Sequence, residues 1–230
     1  METCNSLSES GGDSARPARS RPRRVVVGMT GASGVIHGVR LLEVLGGIDD
    51  IETHLVMSGS ARRTLALETG YSPAEVAKLA DVSYRYGDIG AALASGSFRT
   101  AGMAVVPCTI KTLSGIANSY ADSLIQRAAD VTLKERHPLV LVVRETPLHL
   151  GHLRLMAQVT EMGAFVMPPV PAFYHQPRRI EDIVDHTVNR LLDLLGIELE
   201  VDLVPRWSGT DDTDSPPGGS ASRSRGREEG

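Results

Sequence analysis

Small and hydroxyl-bearing residues follow a run of valines near the start of the chain. The stretch RRVVVGMTGASGVIHGVRLLEVL, residues 23–45, places Gly28, Gly31 and Gly34 three residues apart, with Ser33 before the last of them. This pattern predicts a strand, a tight turn and a helix, whose first backbone N–H groups lack partners within the helix and attract anions. Ser33 is either a phosphate ligand or only the helix N-cap, which is the commoner role for such a serine.

The glycine spacing bears on which nucleotide this turn would hold. The dinucleotide fingerprint G-x-G-x-x-G needs another glycine where Met29 and Thr30 stand, and an acidic residue that closes the second strand. The second predicted strand ends instead at Met57 and Ser58, and Glu52 lies near its beginning. An NAD site is therefore disfavoured, whereas a site for a single phosphate remains open.

Two further apolar runs end in residues suited to an anion. AVVPC is followed by Thr109, Lys111 and Thr112, and PLVLVV is followed by Arg144 and Glu145. Hydroxyls, exposed N–H groups and cations can cradle a phosphate, and a charge-assisted hydrogen bond is worth roughly 1.5–3 kcal/mol. The alternatives are an ordinary polar helix cap at the first position and a pair of solvated loop residues at the second. The sequence alone leaves these alternatives open.

Other reactive side chains carry weaker signals. Cys108 is interpreted as a small buried thiol because no histidine is near it in sequence. His149 and His152 lie three residues apart without a third ligand, so surface histidines are favoured over a metal site. Lys134 could bind a ligand, but a cation near a helix C-terminus also explains it. Arg190 could likewise be only a charge on a helix surface.

The elements that position these residues alternate along the chain from Arg24 to about Trp207. Strands are predicted at 24–29, 51–57, 102–107, 138–143 and 164–167. Helices are predicted at 34–46, 59–69, 73–81, 109–118, 121–136, 149–162 and 180–195. Apolar strands that alternate with helices predict an α/β fold with a doubly wound parallel sheet. Ligands of such sheets bind beyond the carboxyl ends of the strands, which is where the polar residues fall.

The composition narrows the class of protein. A chain of 230 residues with 41% hydrophobic residues can bury one good core, and its formal charge of -4 lacks the basic excess of a dedicated nucleic-acid binder. The two cysteines form no CxxC pair, which fits a reducing cytoplasm, and no run approaches a membrane span. Residues 1–22 and 208–230 are poor in large apolar residues, so disordered tails are predicted around a single domain at 23–207.

Several segments in order carry a family resemblance. GMTGASG, HLVMS with LALET, PCTIKTLSGIA, RAADVTLKERHPLVLVVRETPLHLGHLRLM and PPVPAFYHQP resemble the UbiX-type flavin prenyltransferases. The resemblance implies a flavodoxin-like, Rossmann-type domain in homo-oligomers, dodecamers of trimers, with flavin at subunit contacts. It implies a metal-independent transferase that joins the dimethylallyl group of dimethylallyl phosphate to N5 and C6 of reduced FMN. Phosphate is released in this reaction. The product, prenylated FMN, is expected to serve UbiD-type decarboxylases in ubiquinone biosynthesis or aromatic acid decarboxylation.

The same resemblance assigns roles to particular residues. The residues expected to contact FMN are Gly31, Ala32, Ser33, Ser58, Thr109, Ile110, Lys111, Thr112 and Arg144. The residues expected around dimethylallyl phosphate are Lys134, Arg144, Tyr174, Arg190 and Trp207, with Arg127 from the adjoining subunit. Glu68 and Glu145 match the family's catalytic glutamates, and Glu145 is the stronger candidate for proton handling. Thr109 stands where many relatives have serine, which keeps the hydroxyl.

Two other functions fit part of the pattern. A flavin-dependent cysteine decarboxylase shares the fold but typically uses a histidine near the first helix, where His37 is the only nearby candidate. The second is a non-catalytic flavin-binding accessory subunit of an aromatic-acid decarboxylase. The motifs RE and FYHQP argue against the first alternative, and the intact set of cationic positions argues against the second.

Overall fold

Six parallel strands form one sheet in the computed structural model, which describes residues 21–207 and 209. The strands are β1 Arg23–Met29, β2 Ile51–Met57, β3 Val82–Tyr84, β4 Gly102–Cys108, β5 Leu139–Val143 and β6 Phe165–Val166. Their order is β3-β2-β1-β4-β5-β6, and every neighbouring pair is parallel. The order reverses between β1 and β4, and this switch point opens a crevice at the carboxyl ends of the strands. The predicted flavodoxin-like α/β fold with a doubly wound sheet is confirmed.

Helices cover both faces of this sheet. They are α1 Ile36–Leu45, α2 Gly59–Glu68, α3 Pro73–Lys78, α4 Ile110–Ala117, α5 Leu124–Lys134, α6 Leu150–Glu161 and α7 Ile180–Leu195. Each matches a predicted helix to within a few residues. No helix of the described residues combines the length and the apolar character needed to cross a membrane. The two predicted tails lie outside the described residues, except for residues 21, 22 and 209, and remain predictions.

The core consists of two layers, one on each face of the sheet. Along β1, Val25 and Val27 pack with α1 and α7, whereas Val26 packs with α4 and α5 on the opposite face. All three valines are at most 1% exposed, which explains why a strand buried on both faces reads as a continuous apolar run. Burying one such side chain completely stabilises the fold by about 1.5–3 kcal/mol.

The sequence prediction missed β3 and the short 3-10 turn Ala92–Ala94. β3 has three residues, is only partly buried and pairs with β2 alone at the edge of the sheet. An edge strand of this kind has no continuous apolar run, so only pairing with its neighbour defines it. Sequence reasoning did find the start of α3, where Ser72 and Glu75 form the predicted reciprocal capping box.

Candidate functional site

Backbone hydrogen bonds align the carboxyl ends of the central strands. The N–H of Ser58, just after β2, donates to the carbonyl of Met29 in β1 over 3.0 Å. The N–H of Arg144, just after β5, donates to the carbonyl of Cys108 in β4 over 3.2 Å. The polar residues that follow these four strands therefore lie together at the carboxyl-terminal end of the sheet, as predicted from the parallel arrangement. We call this end the ligand edge.

Thr30 joins the two strands that flank the switch point. Its Oγ1 donates to the carbonyl of Pro107 over 2.7 Å and accepts a 2.9 Å hydrogen bond from the N–H of Thr109. The residue is 2% exposed, so both bonds are shielded from water. In the sequence analysis, Thr30 figured only as a position where the dinucleotide fingerprint would need a glycine. The hydrogen bonds that it makes between the strands were not predicted.

Two glycines determine the course of the turn after β1. A Cβ at Gly31 would lie 2.4 Å from Cβ of Ser60, so only glycine allows the first turn of α2 to approach so closely. Gly34 has a φ of 93°, which L side chains rarely adopt. The turn thus exposes backbone rather than side chains toward the crevice.

A distant carboxylate occupies the start of α1. Oε2 of Glu68 accepts hydrogen bonds from the N–H of Gly34 at 2.8 Å and of Val35 at 3.4 Å. The N-cap position is Val35, which has no side-chain cap. The interpretation of Ser33 as an N-cap is therefore wrong, because the glutamate at the end of α2 satisfies the amides instead. The interpretation of Ser33 as a phosphate ligand stays a prediction.

The two hydroxyl residues at the neighbouring strand ends are helix caps. Ser58 Oγ accepts from the N–H of Ala61 over 3.0 Å, and Thr109 Oγ1 accepts from the N–H of Thr112 over 3.3 Å. The plain polar-cap interpretation of Thr109 is thus correct. Both caps nevertheless lie at the ligand edge, where the N-termini of α2 and α4 add partial positive charge.

Charged side chains stand exposed at the same edge. Lys111 is 3.8 Å from a carboxylate oxygen of Asp122, with 76% of its side chain exposed. Arg144 and Glu145 are both exposed in the loop after β5, which agrees with the solvated-loop interpretation, and the described residues contain no ion pair between them. In the part of the chain that the structure describes, the Glu145 carboxylate accepts one hydrogen bond, from the N–H of Thr146 to Oε1 over 3.1 Å.

A second group of predicted site residues lies on the outer face of α7. Tyr174, Arg190 and Trp207 line a cavity of about 330 Å³, together with His186 and Asp193. The rings of Tyr174 and Trp207 are 5.6 Å apart at 76°, and Tyr174 Oη is 3.2 Å from His186 Nε2. The tertiary structure thus unites the three residues, which are far apart in sequence. The strand-end residues do not line this cavity.

An ion-pair network holds the chain segment that carries Trp207. The Asp193 carboxylate contacts Arg190 at 2.7 Å and Arg206 at 2.9 Å, and Asp202 contacts Arg206 at 2.6 Å. These guanidinium contacts hold the pKa values of the Asp193 and Asp202 carboxyls below their ordinary value. Sequence reasoning missed His186 and Asp193, although their spacing from Arg190, four and three residues, places them on one helix face.

The remaining predicted cations form a third group, on α5. Arg127 donates to the carbonyl of Ala94 over 3.1 Å and pairs with Asp130 at 2.7 Å. Lys134 ends the helix and contacts Glu135. Because α5 packs on the face of the sheet opposite α7 and leads into the start of β5, Lys134 does not meet Tyr174 or Arg190 within one protomer. A cluster of these three residues can form only between protomers.

The other reactive residues are engaged in structural contacts. Burial raises the pKa of the Cys108 thiol to about 12, in agreement with an inert thiol. Nδ1 of His37 lies 2.9 Å from the carbonyl of Gly34, and burial lowers the pKa of this ring. His149 caps α6 through the N–H of Gly151. The described residues hold no group of three or more His, Cys, Asp or Glu arranged for a metal ion.

Comparison with known proteins identifies relatives over most of the chain. Residues 13–192 match the protein family described as Flavoprotein. The flavin prenyltransferase UbiX of Escherichia coli (strain K12) is 62% identical over 187 residues, which make up 81% of this chain and 99% of that protein.

Two solved structures share the fold at high identity. The structure of AnUbiX (PadA1) in complex with FMN and dimethylallyl pyrophosphate has a TM-score of 0.79 at 49% identity, covering 83% of this chain and 100% of that one. A structure described as a dodecameric FMN-dependent Ubix-like decarboxylase from Escherichia coli O157:H7 has a TM-score of 0.77 at 51% identity, covering 81% and 100%.

Proposed function

Since the chain belongs to the flavoprotein family, and within it to the UbiX-type flavin prenyltransferases, we propose that it makes prenylated FMN. In this reaction the dimethylallyl group of dimethylallyl phosphate is joined to N5 and C6 of reduced FMN, and phosphate is released. The observation that carries the proposal is the 62% identity to the Escherichia coli enzyme over 99% of that enzyme's length. The three groups of site residues described above support it.

The donor set at the strand ends suits FMN. Apart from the N–H groups of Gly34 and Val35, which Glu68 holds, the glycine turn offers backbone N–H groups. Ser58 and Thr109 offer hydroxyls, and Lys111 and Arg144 offer exposed cations. Such a set is complementary to one phosphate and a polar ring edge. When bound, reduced FMN supplies the nucleophile of the transfer. The residues assigned to hold it are the predicted set, Gly31, Ala32, Ser33, Ser58, Thr109, Ile110, Lys111, Thr112 and Arg144.

The group on α7 is assigned to the prenyl substrate. Arg190 and the hydroxyl of Tyr174 converge on one cavity, where they can bind a phosphate more strongly as it gains charge on leaving. Trp207 adds an aromatic face beside them, which suits the partial positive charge of an allylic group. This arrangement of donors and rings favours an allylic phosphate over a purely polar substrate.

The two glutamates receive different roles. Glu68 already accepts two backbone N–H groups, so its carboxylate is assigned to hold the turn at the flavin site. Glu145 is exposed at the ligand edge with a single local hydrogen bond, so it is free to take the proton lost from the flavin ring during closure. This division of roles agrees with the prediction that Glu145 is the stronger candidate for proton transfer.

A complete site requires more than one protomer. Arg127 and Lys134 are separated from Arg190 by the sheet, so they are assigned to the site of a neighbouring protomer. The relative of known structure described as dodecameric supports a homo-oligomer of this size. In the proposed assembly, cations from two or more copies surround one phosphate.

The expected recipient of the product is a UbiD-type decarboxylase, in ubiquinone biosynthesis or aromatic acid decarboxylation. A cytoplasmic location is part of the proposal, since the two cysteines of the sequence form no CxxC pair, which fits a reducing compartment. Against a cysteine decarboxylase, the Nδ1 of His37 is occupied by the carbonyl of Gly34 and burial disfavours its charged form. A non-catalytic accessory subunit would not need the converging Tyr174, Arg190 and Trp207.

Anaerobic incubation of the full chain with reduced FMN and dimethylallyl phosphate tests the proposal, with dimethylallyl pyrophosphate in a parallel reaction. Mass spectrometry of the released flavin is expected to show the gain of one five-carbon unit. Arg190→Ala serves as the matched variant, which is expected to bind FMN but to leave it unmodified. Bound but unmodified flavin from the unaltered chain with either substrate would instead support the accessory-subunit interpretation.

A further inference from the structure

Tyr174 lies in an irregular segment of the chain that follows the last strand. Residues 167–177, MPPVPAFYHQP, follow β6 without forming a helix or strand, and 48% of Tyr174 is exposed. Within the described residues, the hydrogen-bond partner of the phenol is His186 Nε2, at 3.2 Å. The hydroxyl of the phenol is therefore bonded to a histidine contributed by a different element, the helix α7.

His186 also packs against a second ring of the segment that carries the phenol. Its ring stacks on His175, with centroids 5.1 Å apart and planes at 6°. Both nitrogens of His175 are shielded from solvent and have no partner in the described residues, so this ring acts as a packing surface. Tyr174 meets His175 and His186 edge-on, at centroid distances of 5.4 and 5.8 Å. The stack thus limits both the position and the tilt of the phenol ring.

We infer that His186 is a positioning residue, which holds the hydroxyl of Tyr174 toward the phosphate bound by Arg190. This inference rests on the proposed function and adds a residue to it. His186 precedes Arg190 by one helical turn, so the phenol and the guanidinium approach the cavity from the same helix face. When the phenol donates its proton to a phosphate oxygen, its own oxygen is free to accept a hydrogen bond from Nε2–H of His186.

The surroundings of His186 favour the neutral form of its ring. Burial, His175 and the nearby Arg190 lower the pKa of His186, in that order of importance. A neutral imidazole keeps one N–H, and the contact with Tyr174 places it at Nε2 when phosphate is bound. His186 touches neither flavin nor the prenyl group in this arrangement, so it acts through Tyr174.

A double-mutant cycle separates positioning from simple packing. The full chain and the variants His186→Leu, His186→Gln, Tyr174→Phe and His186→Leu/Tyr174→Phe are assayed for prenyl transfer to reduced FMN. His186→Leu is expected to lower kcat/KM for dimethylallyl phosphate about tenfold, the size of one lost hydrogen bond. His186→Gln, whose side-chain amide can still donate to the phenol, is expected to retain most of the activity. In the Tyr174→Phe background, His186→Leu is expected to have no further effect.

Each outcome decides the inference. FMN affinity serves as the folding control and should be equal in all variants, because the strand-end residues are unchanged. Equal kcat/KM in the His186→Leu variant, an additive loss in the double variant, or a glutamine variant as poor as leucine would each overturn the positioning role while leaving prenyl transfer established. Absence of prenyl transfer by the unaltered chain would overturn the proposed function and this inference with it.

Discussion

The Glu68 carboxylate accepts a 2.8 Å hydrogen bond from the backbone N–H of Gly34. The last residue of α2 thereby satisfies an amide at the start of α1, a task that a capping serine or threonine performs in most helices. Because Gly34 belongs to the turn assigned to FMN, this bond links the position of α2 to the shape of the flavin site.

Removing this carboxylate should loosen the turn. Glu68→Ala leaves the Gly34 amide without its acceptor, and we expect a loss of about 1 kcal/mol in the free energy of unfolding and weaker FMN binding. Glu68→Gln keeps one acceptor oxygen and should lose less of both. Urea unfolding and flavin titration measure the two effects. Glu161→Gln, at the exposed end of α6, is the control, and an alanine variant that equals it would contradict the role.

The buried hydroxyl at the switch point should matter more than its size suggests. Thr30→Val keeps the shape but removes the bonds to Pro107 and Thr109, so we expect a loss of about 2 kcal/mol in the free energy of unfolding. Thr160→Val, whose hydroxyl bonds only to its own helix at the surface, should change stability by less than about 0.5 kcal/mol. If urea unfolding gave the same loss in the free energy of unfolding for Thr30→Val and Thr160→Val, the two hydrogen bonds of Thr30 would not contribute to stability beyond those of a surface threonine.

Mixed oligomers test whether Lys134 and Arg190 serve one site from different protomers. Lys134→Ala and Arg190→Ala should each be inactive alone. Refolding or co-expressing them together should restore about a quarter of the activity per site, since random assembly gives some sites both native residues. Oligomers in which every protomer carries both Lys134→Ala and Arg190→Ala should stay inactive. Without any restored prenyl transfer in the mixture, the two residues would belong to one protomer's site or to none.

Glu145→Gln separates prenyl transfer from ring closure. The amide cannot remove a proton, so we expect this variant to bind FMN and to accumulate flavin that carries the five-carbon unit without the completed fourth ring. Absorbance spectra and mass spectrometry of the released flavin distinguish the two products. Turnover to the fully closed product at the native rate would exclude Glu145 as the proton acceptor.

Stability should fall as the solution becomes mildly acidic. His54 is 2% exposed, and burial lowers its pKa although a 2.8 Å contact with Glu52 acts in the opposite direction. Below the unfolded value of about 6.5, the unfolded chain takes up a proton that folded His54 resists, so the free energy of unfolding decreases as pH falls through this window. Burial lowers the pKa of His37 and His186 in the same direction.

His54→Gln isolates the contribution of this residue. The variant cannot titrate, and its amide can still bond to Glu52 and to the hydroxyl of Tyr84, which lies 3.0 Å from His54 in the native chain. Urea unfolding at several pH values between 5 and 8 should give a shallower pH dependence than the native chain shows. An unchanged slope would assign the acid sensitivity to the other histidines.

The sequence by itself determined the parallel α/β fold and the strand-end location of the residues proposed to bind FMN, and its resemblance indicated the family. Strands buried on both faces appear as unbroken apolar runs, and parallel strands bring Ser58, Thr109 and Arg144 to one edge whatever the loops do. The fold and the strand-end location follow from local patterns and from a single rule of sheet topology, whereas the family follows from the resemblance of several segments in order.

Only the tertiary structure decided which side chains act together. The bonds from Glu68 to the glycine turn, from Thr30 across the switch point and from Tyr174 to His186 join residues on different elements. It also separated Lys134 from Arg190, because α5 and α7 pack on opposite faces of the sheet. Such relationships depend on how elements pack in space, and residue types and spacing do not encode that directly.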